Sequence, residues 1–84
     1  MAELEIGRVN DYFARISVAG IDLSSDLAIG DTIHIKGHTT DLTEEVRSIQ
    51  IEHDAVEYAA AGASVGVKIE GRCRTGDQVY KMTD

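Results

Sequence analysis

Three phrases in this chain share one design: Ile29-Gly30-Asp31-Thr32-Ile33, Ala61-Gly62-Ala63-Ser64-Val65 and Thr75-Gly76-Asp77-Gln78-Val79. Each sets a glycine just ahead of a short stretch in which apolar and polar residues alternate. Glycine reaches backbone conformations that a Cβ disfavours, so it marks a turn, and a period of two marks a half-buried strand. Used three times in 84 residues, the device restricts the chain to short strands joined by tight turns. The aspartates of Gly30-Asp31 and Gly76-Asp77 read as side chains that bond the backbone of their own turns.

The same alternation extends along most of the chain. Leu4 and Ile6 keep one phase until Gly7 shifts it to Val9, which predicts a first strand with a bulge near Gly7. Asn10-Asp11 reads as a turn, and a bent second strand follows from Tyr12 to Leu23, interrupted at Gly20. Ile33 and Ile35 point inward from a third strand, with Thr32, His34 and Lys36 outward. Residues 37–43 read as a polar loop and residues 45–53 as a long fourth strand. Ala55, Glu57 and Ala59 to Ala61 give residues 54–61 enough helix-forming content for one turn of helix. Val65, Val67 and Ile69 form a further strand, and residues 78–82 close the chain. The expectation is all-β: a small antiparallel β-barrel of six or seven strands with at most one short helical turn, because closure removes exposed edges. One domain spans residues 1–84, with its core between about residues 4 and 82.

Composition agrees with strands and narrows the functions. Nine Ile and seven Val stand against four Leu, and β-branched side chains suit a pleated sheet. Fifteen acidic and eight basic side chains give a net charge of −7, which opposes sequence-independent attachment to phosphate backbones. With no Trp and four Phe and Tyr together, no aromatic platform for stacking bases is evident. The single cysteine, Cys73, excludes an internal disulfide. Neither a signal-peptide pattern nor a membrane-length apolar run is present, so the expected location is the cytoplasm and no membrane partner is expected.

Ile49-Gln50-Ile51-Glu52-His53, Val56, Ala61-Gly62, Val65-Gly66-Val67 and Gly76-Asp77-Gln78-Val79 together resemble the β-barrel that follows the G domain in translational GTPases of the elongation factor Tu type. Gly7-Arg8-Val9 and Ile29-Gly30-Asp31-Thr32-Ile33 resemble earlier strands of that barrel, so the resemblance runs from about Ile6 to Tyr80. It is closer still to small stand-alone translation elongation factor-like proteins, and to the C-terminal barrel of collagenase-like peptidases, where Lys36-Gly37-His38-Thr39-Thr40-Asp41 is a familiar phrase. The first resemblance implies binding of a tRNA end or another translation component. A glutamate beside the terminal adenosine in elongation factor Tu falls at Gln50, which keeps the shape and loses the charge. The chain has no G-x-x-x-x-G-K-[ST] loop, so neither GTPase activity nor nucleotide binding is expected, and no cofactor is implied.

Catalytic constellations are weak by comparison. His34 and His38, with Asp41 and His53, contain metal-ligating residue types, yet a spacing of four on a strand gives them no common face, and no metal site is assigned. Cys73 between Arg72 and Arg74 could have a lowered pKa if the guanidinium groups are close; an ordinary loop thiol is the alternative. The acidic pairs, such as Glu44-Glu45, read as solubilising. The candidate binding face is Gln50, Glu52, His53, Arg72 and Arg74, and a candidate loop is His38, Thr39, Thr40 and Asp41. The expected function is a non-catalytic binding module for RNA or a translation component. The alternative is a protein-interaction barrel that docks on an enzyme such as a peptidase-like partner.

Overall fold

The computed structural model describes residues 2–83. Among them there is no helix, and ten strands follow in chain order: β1 (Ala2–Phe13), β2 (Val18–Leu23), β3 (Leu27–Ala28), β4 (Thr32–Lys36), β5 (Asp41–Glu45), β6 (Ile49–Ile51), β7 (Asp54–Val56), β8 (Tyr58–Ala59), β9 (Ser64–Lys68) and β10 (Gln78–Thr83). Eight of them form one antiparallel sheet in the order β5-β4-β10-β1-β2-β9-β6-β7, and β3 pairs with β8 in a second. The sheet curls around a core led by Ile6, Ile21, Ile33, Ile35, Ile49 and Val67, each fully buried. The fold is thus the expected small all-β, barrel-like domain, with more and shorter strands than the six or seven anticipated.

Each glycine phrase becomes the same turn. Gly30, Gly62 and Gly76 have φ of 97°, 91° and 95°, and the amides of Asp31, Ala63 and Asp77 donate back to the carbonyls of Ala28, Ala60 and Arg74. In two of the three, the aspartate adds a second clasp: the Ala28 amide donates to Asp31 Oδ2 at 2.9 Å, and the Arg74 amide to Asp77 Oδ2 at 2.8 Å. A Cβ at any of the three glycines would meet nothing within 4 Å, so the positive φ, and not lack of space, selects glycine there. Gly37 is the opposite case, because a Cβ there would lie 1.9 Å from Asp77 Oδ1. The absent side chain lets the residue 37–40 loop close on the residue 74–77 turn.

The long strand β1 organises the sheet. It pairs with β10 from Ala2↔Thr83 to Arg8↔Gln78, with its register shifting between Glu5 and Gly7, where a bulge was expected. Against β2 the register shifts again between Val9 and Asp11. Asn10-Asp11 is therefore a second irregularity within one strand and not a turn. The chain reverses later, across residues 14–17, where the Ile16 amide donates to the Phe13 carbonyl and Ser17 takes a φ of 56°.

The predicted fourth strand and helical turn are also corrected. Glu52 and His53 have φ of 51° and 72°, which folds residues 49–56 into a hairpin with Ile49 opposite Val56 and Ile51 opposite Asp54. Tyr58 and Ala59 then pair with Ala28 and Leu27. An eight-residue alanine-rich segment gains little from helix propensity, and here its backbone is satisfied by strand partners. Residues 41–45, read as the end of a loop and its sequel, form β5 against β4.

β5 and β7 remain the outer strands of the eight, so main-chain pairing does not close the barrel. Glu44 spans the seam instead. The Glu70 and Gly71 amides both donate to its carboxylate, at 2.7 Å each. Val46, just past β5, extends the β4–β5 ladder by exchanging main-chain bonds with Gly30 and Asp31.

Candidate functional site

The residues expected to form one binding face fall on two. Gln50, Glu52 and His53 line a concavity of about 420 Å³ with Phe13, Ile16, Val18, Ser64 and Gly66 among its other walls. Arg72 and Arg74 line a different cleft of about 410 Å³, together with Tyr12, Ala14, Thr39, Thr40 and Cys73. No residue belongs to both.

The first concavity is mainly apolar, with Phe13, Ile16, Val18 and Val65 among its walls. Gly20 and Gly66 sit opposite one another on β2 and β9, and the side chains of Asn10 and Val18 lie over them, where an added Cβ would come within 2.4 Å of Asn10 Oδ1 and 3.1 Å of Val18 Cγ1. The β1–β2 turn brings Phe13 and Ile16 to the same hollow, where they remain 46% and 61% exposed. Asp22 anchors the neighbouring surface: Asn10 Nδ2 donates to its Oδ1 at 2.7 Å and Ser64 Oγ at 2.6 Å. The Ser64 bond, then the Asn10 bond, holds the Asp22 carboxyl below its usual range. On the far wall, two consecutive residues other than glycine, Glu52 and His53, occupy the left-handed region. Each such residue costs about 1 kcal/mol, and strain of this kind concentrates where surfaces are used. Sequence reasoning placed Gln50, Glu52 and His53 together but missed Phe13 and Ile16. Ile16 had the phase of an inward strand residue, and it sits in the turn.

Of the candidate loop, His38 and Thr39 are exposed, Thr40 is buried at 7% exposure, and Asp41 begins β5. Asp41 does not serve the loop. His34, on the outer face of β4, has Glu3 Oε2 2.6 Å from Nδ1 and Asp41 Oδ1 2.5 Å from Nε2. These bonds, Glu3 first, raise the His34 pKa above 6.5. The reciprocal bond to His34 lowers that of Glu3. A histidine with both ring nitrogens committed in this way links β1, β4 and β5 and has no lone pair left for a metal ion.

Cys73 departs from the reactive-thiol reading. It is 5% exposed, and burial, followed by the negative charges of Asp77 and Glu44, pushes its thiol up to about 11. The flanking arginines do not offset this. A thiolate nucleophile is not available there near neutrality.

The arrangement is an all-β, barrel-like domain whose expected binding residues are divided between two separate hollows. No protein-family model matches the chain. It is 49% identical to an uncharacterized protease of Methanocaldococcus jannaschii over 83 residues, which is 98% of this chain and 20% of the protease. The chain thus spans about a fifth of the length of that curated relative. Among solved structures, the fold matches the C-terminal domain of a Geobacillus thermoleovorans protein described as a U32 peptidase, with a TM-score of 0.88 at 17% identity, covering 95% of this chain and 93% of that domain. The selenomethionine variant of the same domain gives a TM-score of 0.84 at 17% identity, over 89% of this chain and 95% of that one. These matches lie on the peptidase side of the two resemblances seen in the sequence, and they lend no support to a tRNA or translation partner.

Proposed function

We propose that this chain is a non-catalytic interaction barrel that docks on a peptidase body, with the Phe13–Ile16 face as the contact. The observation that carries this reading is the match of 98% of the chain to 20% of a protease: the other four-fifths is a ready occupant for a face that is apolar and strained. The solved neighbour is likewise a C-terminal domain of a protein described as a peptidase. Full burial of a Phe or Ile side chain is worth about 1.5–3 kcal/mol. With roughly half of each side chain still exposed, covering both contributes about 2 kcal/mol, or thirtyfold in affinity.

The test is a chimera in which this chain replaces the matching fifth of the Methanocaldococcus jannaschii protease. Scanning calorimetry of the chimera should give one coupled transition. Phe13→Ser with Ile16→Ser should separate it into two while leaving the isolated 84-residue chain folded. Two independent transitions in the parent chimera would refute docking, and a coupled transition in the double variant would refute this face.

A further inference from the structure

We propose that the second cleft, between the residue 37–40 loop and residues 72–78, binds the carboxylate side chains of an acidic polypeptide segment. This goes beyond the docking reading and uses none of its surface. Arg72 and Arg74 line the cleft beside Tyr12, Thr39 and Thr40. On the other side of the same two loops, Arg8, Lys36 and His38 line an adjoining concavity of about 500 Å³ with Gly37, Gly76 and Gln78. Four of the eight Lys and Arg residues of an acidic chain, Arg8, Lys36, Arg72 and Arg74, are therefore gathered around one pair of loops. Among the described residues, no carboxylate lines either hollow.

The arginines are also uncommitted. Among the described residues, ion pairs engage Lys36, Arg47 and Lys81, and none engages Arg8, Arg72 or Arg74. Of the two acids that flank Arg72 and Arg74 in sequence, Glu70 pairs with Arg47, and Asp77 is buried and turned inward, where its carboxylate accepts the Arg74 amide. Asp77 holds the loop without forming an ion pair to either guanidinium group. Tyr12 stiffens the back wall by donating its hydroxyl to the Gly71 carbonyl at 3.1 Å. A planar guanidinium presents paired N–H donors that match a carboxylate, and Thr39 supplies an exposed hydroxyl beside them.

Charge distribution favours a protein acid over a nucleic acid. A net charge of −7 repels a long polyanion, and Asp11 and Asp41 stand at the margins, beside Tyr12 and Thr40. Screening over about 8 Å confines those repulsions to whatever extends past the cleft. A short run of glutamates or aspartates meets only the cations, while a polyphosphate must also cross the acidic surroundings.

Fluorescence anisotropy of a labelled Glu-Ser repeat peptide, titrated with the full chain, tests the proposal against the same peptide carrying Gln for Glu. The Glu peptide should bind and weaken with added salt, and the Gln peptide should bind at least tenfold more weakly. Arg72→Ala with Arg74→Ala should cost about tenfold or more, and the paired Lys variants should fall between. These variants keep the fold, since both side chains are exposed and the Arg74–Asp77 clasp uses the Arg74 backbone amide. Arg47→Ala, which removes a cation paired to Glu70 elsewhere, should leave binding unchanged. Equal affinity for both peptides, or no loss in the double Ala variant, would overturn the proposal. So would tighter binding of a single-stranded RNA of equal charge that is lost in the same variant, which would assign the cleft to phosphate.

Discussion

Replacing Glu44 should open the barrel seam, and the choice of replacement separates the physics. Two consecutive amides, of Glu70 and Gly71, converge on its carboxylate at 2.7 Å. Hydrogen bonds to a charged group are worth about 1.5–3 kcal/mol each, but the Glu70 amide is exposed and water can replace its acceptor. We therefore expect Glu44→Ala to cost about 2 kcal/mol, mostly at Gly71. For a domain of this size that corresponds to a fall in Tm of roughly 8–16 °C. Glu44→Gln is the sharper perturbation. Its amide keeps one acceptor but must point its NH2 group at the other backbone N–H, placing donor against donor, so it should destabilise nearly as much as Ala despite its shape. Thermal and urea unfolding followed by circular dichroism give the magnitude, and amide exchange at Glu70 and Gly71 locates it. A Gln variant as stable as the parent would refute the two-amide account of the seam, as would an Ala variant within about 0.5 kcal/mol of it, the usual range for surface changes.

The Glu3–His34–Asp41 cluster makes stability depend on pH in a predictable sense. The raised His34 pKa contributes stability that is fully present below 6.5 and lost as pH rises through the raised value. The lowered Glu3 pKa contributes stability present above 4.5 and lost as pH falls through the lowered value. Melting temperatures across pH 4–9 should show the advantage of the parent over His34→Gln to be greatest between 4.5 and 6.5 and shrinking on the alkaline side; a flat difference would refute the clamp. Cys73 should react with a maleimide or disulfide reagent far more slowly in the native chain than in urea, and equal rates would contradict its burial. Gly30→Ala should destabilise by about 1 kcal/mol through φ alone, with Gly30→Asn milder because Asn tolerates the left-handed region; denaturant unfolding would show the reverse order if space, not φ, were limiting.

Much of this architecture was legible where alternation and turn chemistry agreed. Strands β4, β9 and β10, the bulge near Gly7 and the three glycine turns all follow from local residues, and the Asp31 and Asp77 clasps follow from the known habit of aspartate in turns. β5 was hidden because Asp41-Leu42-Thr43-Glu44-Glu45 looks like solvated surface; its partners lie on β4 and, through Glu44, beyond β9. The β6–β7 hairpin was hidden for a different reason. Its turn is made by Glu52 and His53, without the Asn or Gly that normally signals positive φ. The candidate site was legible residue by residue but not in its grouping, since the separation of Gln50 from Arg72 depends on how the sheet curls.

The pairing of Ala2 with Thr83 has a topological consequence. Antiparallel partners stand only about 5 Å apart, so both ends of the described chain leave from one side of the domain. Such a unit can be set into a loop of another protein, or joined head to tail and reopened elsewhere, with little change to its interior. The open surroundings of Gly62 make the turn before β9 a natural place for the new ends. In such a circular permutant, the three turns and the Glu44 seam would have to direct assembly without the original chain order, which turns connectivity itself into an experimental variable.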